Sequence, residues 1–440
     1  MKMVPTKSAL LLFTSGILLI SSTVRAVAQE ADGKAPSQQV LSDLLRRLEA
    51  DEAIIHQLQQ KLTEQSAGGA SKAVPAAVAP PAPPAEEKQA AADATAMGGM
   101  DHMMTLPGGP QMKINGFADI NFGTGTVANP LIFPLQAPAK SAFQLGEFDL
   151  MLSSQLSPHW SFMGEVVLGS DHTNYFGVDI ERMQLTYKHN DYFAISGGRF
   201  HTAMGYYNTA FHHGTWFQTA EGRPFMYFFE DSGGVLPVHN VGLTATGLVP
   251  GASQLGLHWI AEVGNGRSSS PDGQPVQNFV SDRNRKSVNF AAYIQPAAVP
   301  GLQVGGSFYD DRLAAVGNQP RTTQHISSAY AVFTDAKWEF LNEAVLLSNI
   351  LPSGRSYNSP LAYTQFSRKF GIYRPYIRYQ YVNVPENDPV NIYTGRYNGP
   401  SIGLRVDVTD YAAFKIQYNR FDQRNQPALN GLNAQISFAF

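Results

Sequence analysis

The residues best suited to binding a charged solute lie in one long segment, residues 201–238, between two candidate strands. Connections of that length are uncommon unless they are functional. Aromatic side chains crowd the segment from Tyr206 to Phe229, and a solvated loop would not tolerate so much exposed apolar surface. We therefore expect it to pack against a wall and to narrow a passage. The ionisable side chains that would border this constriction are His212, His213, Glu221, Arg223, Glu230 and Asp231. The alternative is that the aromatic residues only anchor the segment and that the histidines satisfy local hydrogen bonds.

Charged residues also alternate with apolar ones along the candidate strands. On the late strands the polar face is basic, with Lys369, Arg374, Arg378, Arg405 and Lys415. On the first three strands it is acidic, with Asp119, Glu147, Asp149 and Glu165. A basic wall near an acidic one would orient dipolar or charged solutes in a narrow pore, and these nine residues are the predicted channel lining. The alternative is that the charges only solvate the interior and pair with one another. Since Glu262, Glu339 and Glu343 share the polar face, the sequence leaves anion or cation preference open.

A third cluster, Met97 to Met104, could bind a metal ion. Thioethers and imidazole are ligands for Cu(I), so Met100, His102 and Met103 are the candidate ligands. The alternative is a flexible spacer with an incidental histidine. The chain has no cysteine, which excludes thiolate metal sites and cysteine nucleophiles. We predict no cofactor and no enzymatic activity.

Short segments of alternating polarity fill the chain from residue 112 onward and must position these residues. We predict sixteen strands, with bulges in the fourth (178–187) and the fifth (192–200). In the last strand, residues 431–440, the side chains of Leu432, Ile436 and Phe440 share one face and Asn433 and Gln435 the other. Short and long connections alternate, which is typical of an even-stranded transmembrane barrel and not of a soluble sandwich. The predicted fold is therefore all-β, a transmembrane antiparallel β-barrel over residues 112–440.

Three regions precede the predicted barrel. Residues 1–28 have the basic start, apolar run and small-residue cleavage site of a signal peptide. Residues 29–66 contain a leucine-rich heptad pattern that predicts a short periplasmic coiled-coil helix, most plausibly of a trimer, although a single amphipathic helix is the alternative. Residues 67–111 are rich in proline and alanine and predict a flexible linker.

Composition limits the partners of the mature chain. The sequence is 43% hydrophobic and 15% charged, which is too polar for a helical membrane protein and ordinary for a barrel with a wet interior. Cleavage after residue 28 would remove three positive charges and take the formal net charge from −3 to −6. Such a chain has no basic surface for nucleic acid, so we predict none as a partner.

A signal, a heptad helix, a proline-rich linker and a strand-rich region ending in phenylalanine together resemble one known family. They resemble the trimeric outer-membrane porins with an N-terminal coiled coil, among them the phosphate-selective porins, and less closely the sugar porins. The resemblance implies a homotrimer in the lipid of a Gram-negative outer membrane. It also implies passive diffusion of small hydrophilic solutes or ions past loop 201–238. Two alternatives stay open, namely a structural tether and a barrel with a histidine-dependent metal or enzymatic site.

Overall fold

The fold is a single closed antiparallel barrel. A computed structural model describes residues 110–126, 140–170, 175–211, 214–230, 233–268, 277–315, 320–392 and 394–440. Within these residues sixteen strands pair in chain order, and the last pairs with the first. The strands are β1 (Met112–Gly125), β2 (Ser141–Gln155), β3 (Trp160–Ser170), β4 (Phe176–Asn190), β5 (Phe193–His201), β6 (His239–Leu248), β7 (Leu257–Gly264), β8 (Ser287–Ile294), β9 (Leu302–Leu313), β10 (Thr322–Thr334), β11 (Trp338–Ile350), β12 (Ser356–Arg368), β13 (Tyr373–Asn383), β14 (Arg396–Thr409), β15 (Ala412–Gln423) and β16 (Gln426–Ala439). The predicted all-β barrel is confirmed. The predicted signal peptide and coiled coil, and the predicted linker up to residue 109, lie outside the described residues.

The barrel closes between β1 and the end of the chain. Gly116 and Phe440 exchange two backbone hydrogen bonds, of 2.8 and 2.9 Å. A Cβ atom on residue 116 would lie 2.2 Å from the Phe440 ring, so glycine gives this ring the space it occupies. Closure leaves no unpaired edge, as a membrane interior requires.

The outer face of the barrel is apolar. Exposed side chains such as Phe143, Val178, Phe290 and Ile402 alternate with residues that point into the barrel. Aromatic pairs, among them Trp160 with Tyr187 at 5.1 Å between ring centroids, lie near one end. An apolar band edged by aromatic residues matches a lipid environment.

The connections differ between the two ends of the barrel. At the end that we call the turn end, connections are 156–159, 191–192, 249–256, 295–301, 335–337, 369–372 and 410–411. Longer ones lie at the opposite end, the loop end, and include 202–238 and 265–286. The expected asymmetry is incomplete, because the loop-end connections 171–175 and 351–355 are shorter than the turn-end connection 249–256. The sequence also predicts strands at 411–420 and 431–440 with 421–430 between them, whereas β15 and β16 are joined by residues 424–425 alone. Asn425 has a φ of 56°, the left-handed conformation that tight hairpin turns need, and this lets the polar hairpin continue beyond the apolar band.

The two irregular strands behave differently. The β3–β4 ladder shifts between Glu165 and Val166, so the predicted bulge in the fourth strand is confirmed. The predicted bulge in the fifth strand is wrong, since β5 pairs with β6 without a shift from Ala194 to His201. The irregularity lies instead at Gly198, whose φ of 138° suits glycine and whose Cβ position would lie 1.8 Å from a backbone oxygen of β4.

Candidate functional site

The connection between β5 and β6, which we call the lumen loop (202–238), lies inside the barrel. The backbone N–H of Ala203 donates to Glu262 on β7 at 3.1 Å, and that of Tyr207 donates to Glu343 on β11 at 2.8 Å. The Phe217 ring lies 4.9 Å from that of Phe117 on β1. Because these strands lie far apart around a closed barrel, only a segment in the lumen can contact all of them.

One carboxylate fixes the first turn of the lumen loop. Glu343 is buried on the inner face of β11 and accepts hydrogen bonds from the backbone N–H groups of Tyr206 and Tyr207. It also accepts the hydroxyl groups of Tyr227 and Tyr363, at 2.7 and 2.6 Å. Four donors on one carboxylate make it the best-connected anchor of the lumen loop.

Aromatic packing holds the second half of the lumen loop. Phe225 is buried with its ring centroid 5.0 Å from that of Tyr397 and 4.6 Å from that of Phe421. Its backbone N–H donates to Gln380 at 2.8 Å, and Thr219 donates to Glu339 at 2.9 Å. The loop therefore packs on the inner faces of β11 to β15, as the wealth of aromatic residues indicates.

The structure places three predicted basic residues of the late strands under the lumen loop. Arg378 donates to the backbone oxygen of Gly222 at 2.9 Å, and Lys415 donates to that of Thr215 at 2.5 Å. Arg405 donates to the backbone oxygens of Trp216 and Gln218, at 2.6 and 2.9 Å. These cations stabilise the loop by charge-assisted hydrogen bonds to its carbonyl groups.

The other two predicted basic residues lie near the turn end. Lys369 forms an ion pair with Asp407 at 2.7 Å. Arg374 is half-buried and lies directly opposite Arg405 in the β13–β14 ladder. Neither of them contacts the lumen loop in the hydrogen bonds and ion pairs of the described residues.

The predicted acidic residues lie on β1, β2 and β3. Asp119, Asp149 and Glu165 are buried and Glu147 is half-buried. The Asn121 amide donates to Asp119 at 2.5 Å, and Arg182 on β4 donates to Glu165 at 2.5 Å. Acidic side chains thus line the three strands that follow the basic anchors around the ring, with β16 between β1 and β15.

The lumen loop presents Arg223 towards that acidic wall. Its guanidinium lies 3.8 Å from the Phe229 ring centroid, and its Nε donates to the Tyr227 backbone oxygen at 2.7 Å. Burial lowers the pKa of Arg223, while the charges of Glu147 and Glu181 act in the opposite direction. The charge of Arg223 therefore interacts with carboxylates on two strands of the wall, β2 and β4.

Glu221, by contrast, faces the late strands. It is buried and accepts a hydrogen bond from the Asn433 amide at 3.0 Å. Burial raises the pKa of Glu221, and this outweighs the lowering by Asn433 and by the nearby Lys415 and Arg378.

A polar cluster at the base of the lumen loop is absent from the sequence prediction. The His239 ring lies between Glu181 of β4, 2.6 Å away, and Glu230 of the loop, 3.3 Å away. Arg199 also contacts Glu181, at 3.3 Å. Sequence gives only a weak signal for it, because its members come from β4, β5, β6 and the lumen loop.

Several predicted residues lie outside the described part of the chain. These are His212, His213 and Asp231 of the lumen loop, and Met100, His102 and Met103 of the candidate copper site. Over the described ranges, no group of three or more His, Asp or Glu side chains has the geometry to hold a metal ion.

Comparison with known proteins identifies the fold. No family model matches the chain, and no curated protein matches it. Among solved structures, it is similar to the anion-selective porin from Comamonas acidovorans, with 10% identity, a TM-score of 0.53, and coverage of 75% of this chain and 100% of the porin. OmpF of Salmonella typhi, solved in complex with daunomycin, has 13% identity, a TM-score of 0.51, and coverage of 76% and 98%. The trimer form of OmpT, an outer membrane protein of Vibrio cholerae, has 10% identity, a TM-score of 0.50, and coverage of 76% and 100%. The chain therefore has the fold of outer-membrane porins, and with its apolar outer face it is a barrel of the Gram-negative outer membrane.

Proposed function

We propose that the protein is a passive diffusion channel for small hydrophilic solutes or ions. The observation that carries this proposal is the lumen loop, which is fixed to the inner wall from β7 to β16 by its own hydrogen bonds. Such a loop narrows a barrel of sixteen strands, which would otherwise leave an aqueous channel.

The constriction would be bordered by charges of both signs. Arg223 provides the positive side, and Asp149, Glu147 and Glu181 provide the negative side. Arg378, Arg405 and Lys415 add positive potential behind the loop, although their hydrogen bonds go to loop carbonyls. Opposite charges across a narrow passage orient dipolar solutes. We infer weak selectivity between anions and cations, and phosphate selectivity is no part of the proposal.

Assembly is the second part of the proposal. The heptad pattern in residues 29–66 supports a homotrimer in which three helices associate below three barrels. Residues 1–28 would direct export, and 67–111 would separate helix and barrel.

Conductance in planar lipid bilayers tests the channel function. The purified full chain should give persistent stepwise openings, in groups of three if it is a trimer. A variant without residues 214–230 should conduct more per channel, since the material that narrows the lumen is gone. Folded barrel that inserts but passes no current would contradict the proposal.

A further inference from the structure

A cleft of about 450 Å³ lies at the loop end, away from the lumen loop. It is lined by the end of the β11–β12 connection, by residues 385–387 of the β13–β14 connection and by the β15–β16 turn. Its lining includes two arginines, Arg355 and Arg424, and one carboxylate, that of Glu386. The formal charge of the lining is therefore positive.

The Arg355 guanidinium is held in place but keeps its donors available. It stacks on the Tyr357 ring at 4.8 Å from the centroid, and stacking leaves the N–H edge uncovered. Among the described residues, its guanidinium makes no hydrogen bond or ion pair. A planar guanidinium held by an aromatic face is suited to two parallel hydrogen bonds to one oxyanion.

Neighbouring side chains add further donors. The Asn358 Oδ1 accepts from the hydroxyl groups of Ser348 and Ser356, at 2.8 and 3.2 Å. Because its oxygen is used in this way, the Asn358 amide N–H₂ is left to donate. Arg424 is fixed by Asn383 at 2.7 Å and lies 3.6 Å from Glu386, which is itself largely exposed.

The cleft lies just above the apolar band. Asn358 shares the outward phase of β12 with Pro360, which is exposed on the lipid side. On β14 and β15, Arg396 and Arg420 are exposed at the same end and on the same outward phase. Long connections of outer-membrane barrels face the cell exterior, so this level is that of the outer head groups.

We propose that the cleft around Arg355 and Arg424 binds a phosphate-type oxyanion. Two sources share this chemistry, namely the phosphate group of an outer-leaflet lipid and a dissolved phosphate. The outward phase of Asn358 and the exposed side chains of Arg396 and Arg420 put the cleft within reach of a lipid phosphate. Its opening at the loop end admits dissolved phosphate.

Titration of the detergent-solubilised full chain tests the proposal. One arm uses inorganic phosphate, and the other uses micelles of a bisphosphorylated glycolipid with its dephosphorylated form as reference. Binding in the first arm supports the dissolved source, and binding only to the phosphorylated lipid supports the lipid source. No binding in either arm overturns the proposal.

Variants establish where the anion binds. Arg355→Gln should weaken binding about tenfold, as the loss of charge-assisted hydrogen bonds predicts. Arg321→Gln removes an exposed arginine at the same end but outside the cleft, and should change binding by less than about twofold because of screening. Glu386→Gln removes the carboxylate from the lining and should strengthen binding, an effect that misfolding cannot imitate. Equal weakening by Arg355→Gln and Arg321→Gln would show general charge attraction and overturn the site. Weaker binding to Glu386→Gln would show that the anion does not bind near this carboxylate, and it would overturn the site as well.

Discussion

The Glu343 carboxylate on β11 lies 2.8 Å from the backbone N–H of Tyr207 in the lumen loop. The backbone N–H of Tyr206 and the hydroxyl groups of Tyr227 and Tyr363 also donate to Glu343, so this buried carboxylate accepts four hydrogen bonds. Glutamine at this position would present an N–H₂ group to donors that need an acceptor. We expect Glu343→Gln to weaken docking of the loop by about 2 kcal/mol.

The measurement for Glu343→Gln is single-channel conductance, which should become larger and noisier. Glu386→Gln, which changes an exposed carboxylate outside the lumen, is the matched control and should behave as wild type. Unaltered conductance and noise in Glu343→Gln would show that this acid does not hold the loop.

Arg223 should set the ion preference of the channel. Arg223→Gln removes a positive charge that interacts with Glu147 and Glu181 across the lumen. The reversal potential in a salt gradient should move towards cation preference. The change should be larger at about 0.1 M salt, where the Debye length is about 10 Å, than at about 1 M, where it is about 3 Å. Arg368→Gln, which removes an arginine that packs over Trp338 at the turn end, should leave the potential unchanged. If the two variants give the same potential, Arg223 does not border the ion path.

Glu221 should make the stability of the docked loop depend on pH. Burial raises the pKa of Glu221 above 4.5 in the folded protein. The protonated side chain therefore contributes its full stabilising free energy below pH 4.5, and this contribution is lost as the pH rises through the pKa of the folded state. The difference in melting temperature between Glu221→Gln and wild type should therefore grow in favour of the variant between pH 4.5 and neutrality. Asn387→Ala, which changes an exposed side chain that does not titrate, is the control and should show no such trend. A difference that stays constant over this range would mean that Glu221 titrates normally.

Cysteine labelling tests the orientation of the barrel. Asn387 is exposed at the loop end and Ala336 at the turn end, and the chain has no native thiol. Asn387→Cys should react with an impermeant reagent on intact cells, and Ala336→Cys should react only after the outer membrane is opened. Ser269→Cys, in the 265–286 connection, should behave like Asn387→Cys. The reverse pattern would invert the proposed topology.

The heptad helix should contribute to trimer stability and not to folding of the barrel. Deletion of residues 29–66 leaves the strand ladder intact, since every strand of the described barrel finds its partners among residues 112–440. We expect the trimer to dissociate more readily in mild detergent, as measured by native electrophoresis. Equal resistance of both proteins to dissociation would remove this role from the helix.

Strand number and phase could be predicted because they depend on local polarity. A period of two residues is visible in segments such as 372–382, where Ile377 and Tyr379 are exposed while Arg378 and Gln380 are buried. The β15–β16 hairpin was predicted too short, because the charged and amide residues around its tip were taken for a loop, although Phe421 and Leu429 continue the buried inner face.

The partners of the charged residues could not be predicted from the sequence. That Arg378 donates to Gly222 depends on the path of the lumen loop, which brings together residues 156 positions apart. Likewise, Glu343 and Glu339 are visible in the sequence as acids on an inner face, but their role as loop anchors requires the contacts of Tyr207 and Thr219.

The hydrogen bonds between Gly116 and Phe440 also constrain how the protein is made. They join β1 to residues about 320 positions later in the sequence, so the sheet keeps two open edges until both of these segments are in place. A partly made sheet would leave β1 open to pairing with other chains. Contacts over such a separation are also slow to form, because closure of the long intervening chain costs entropy. Closure of the ladder is therefore a late step of folding, because it requires the two segments that lie farthest apart in the described barrel.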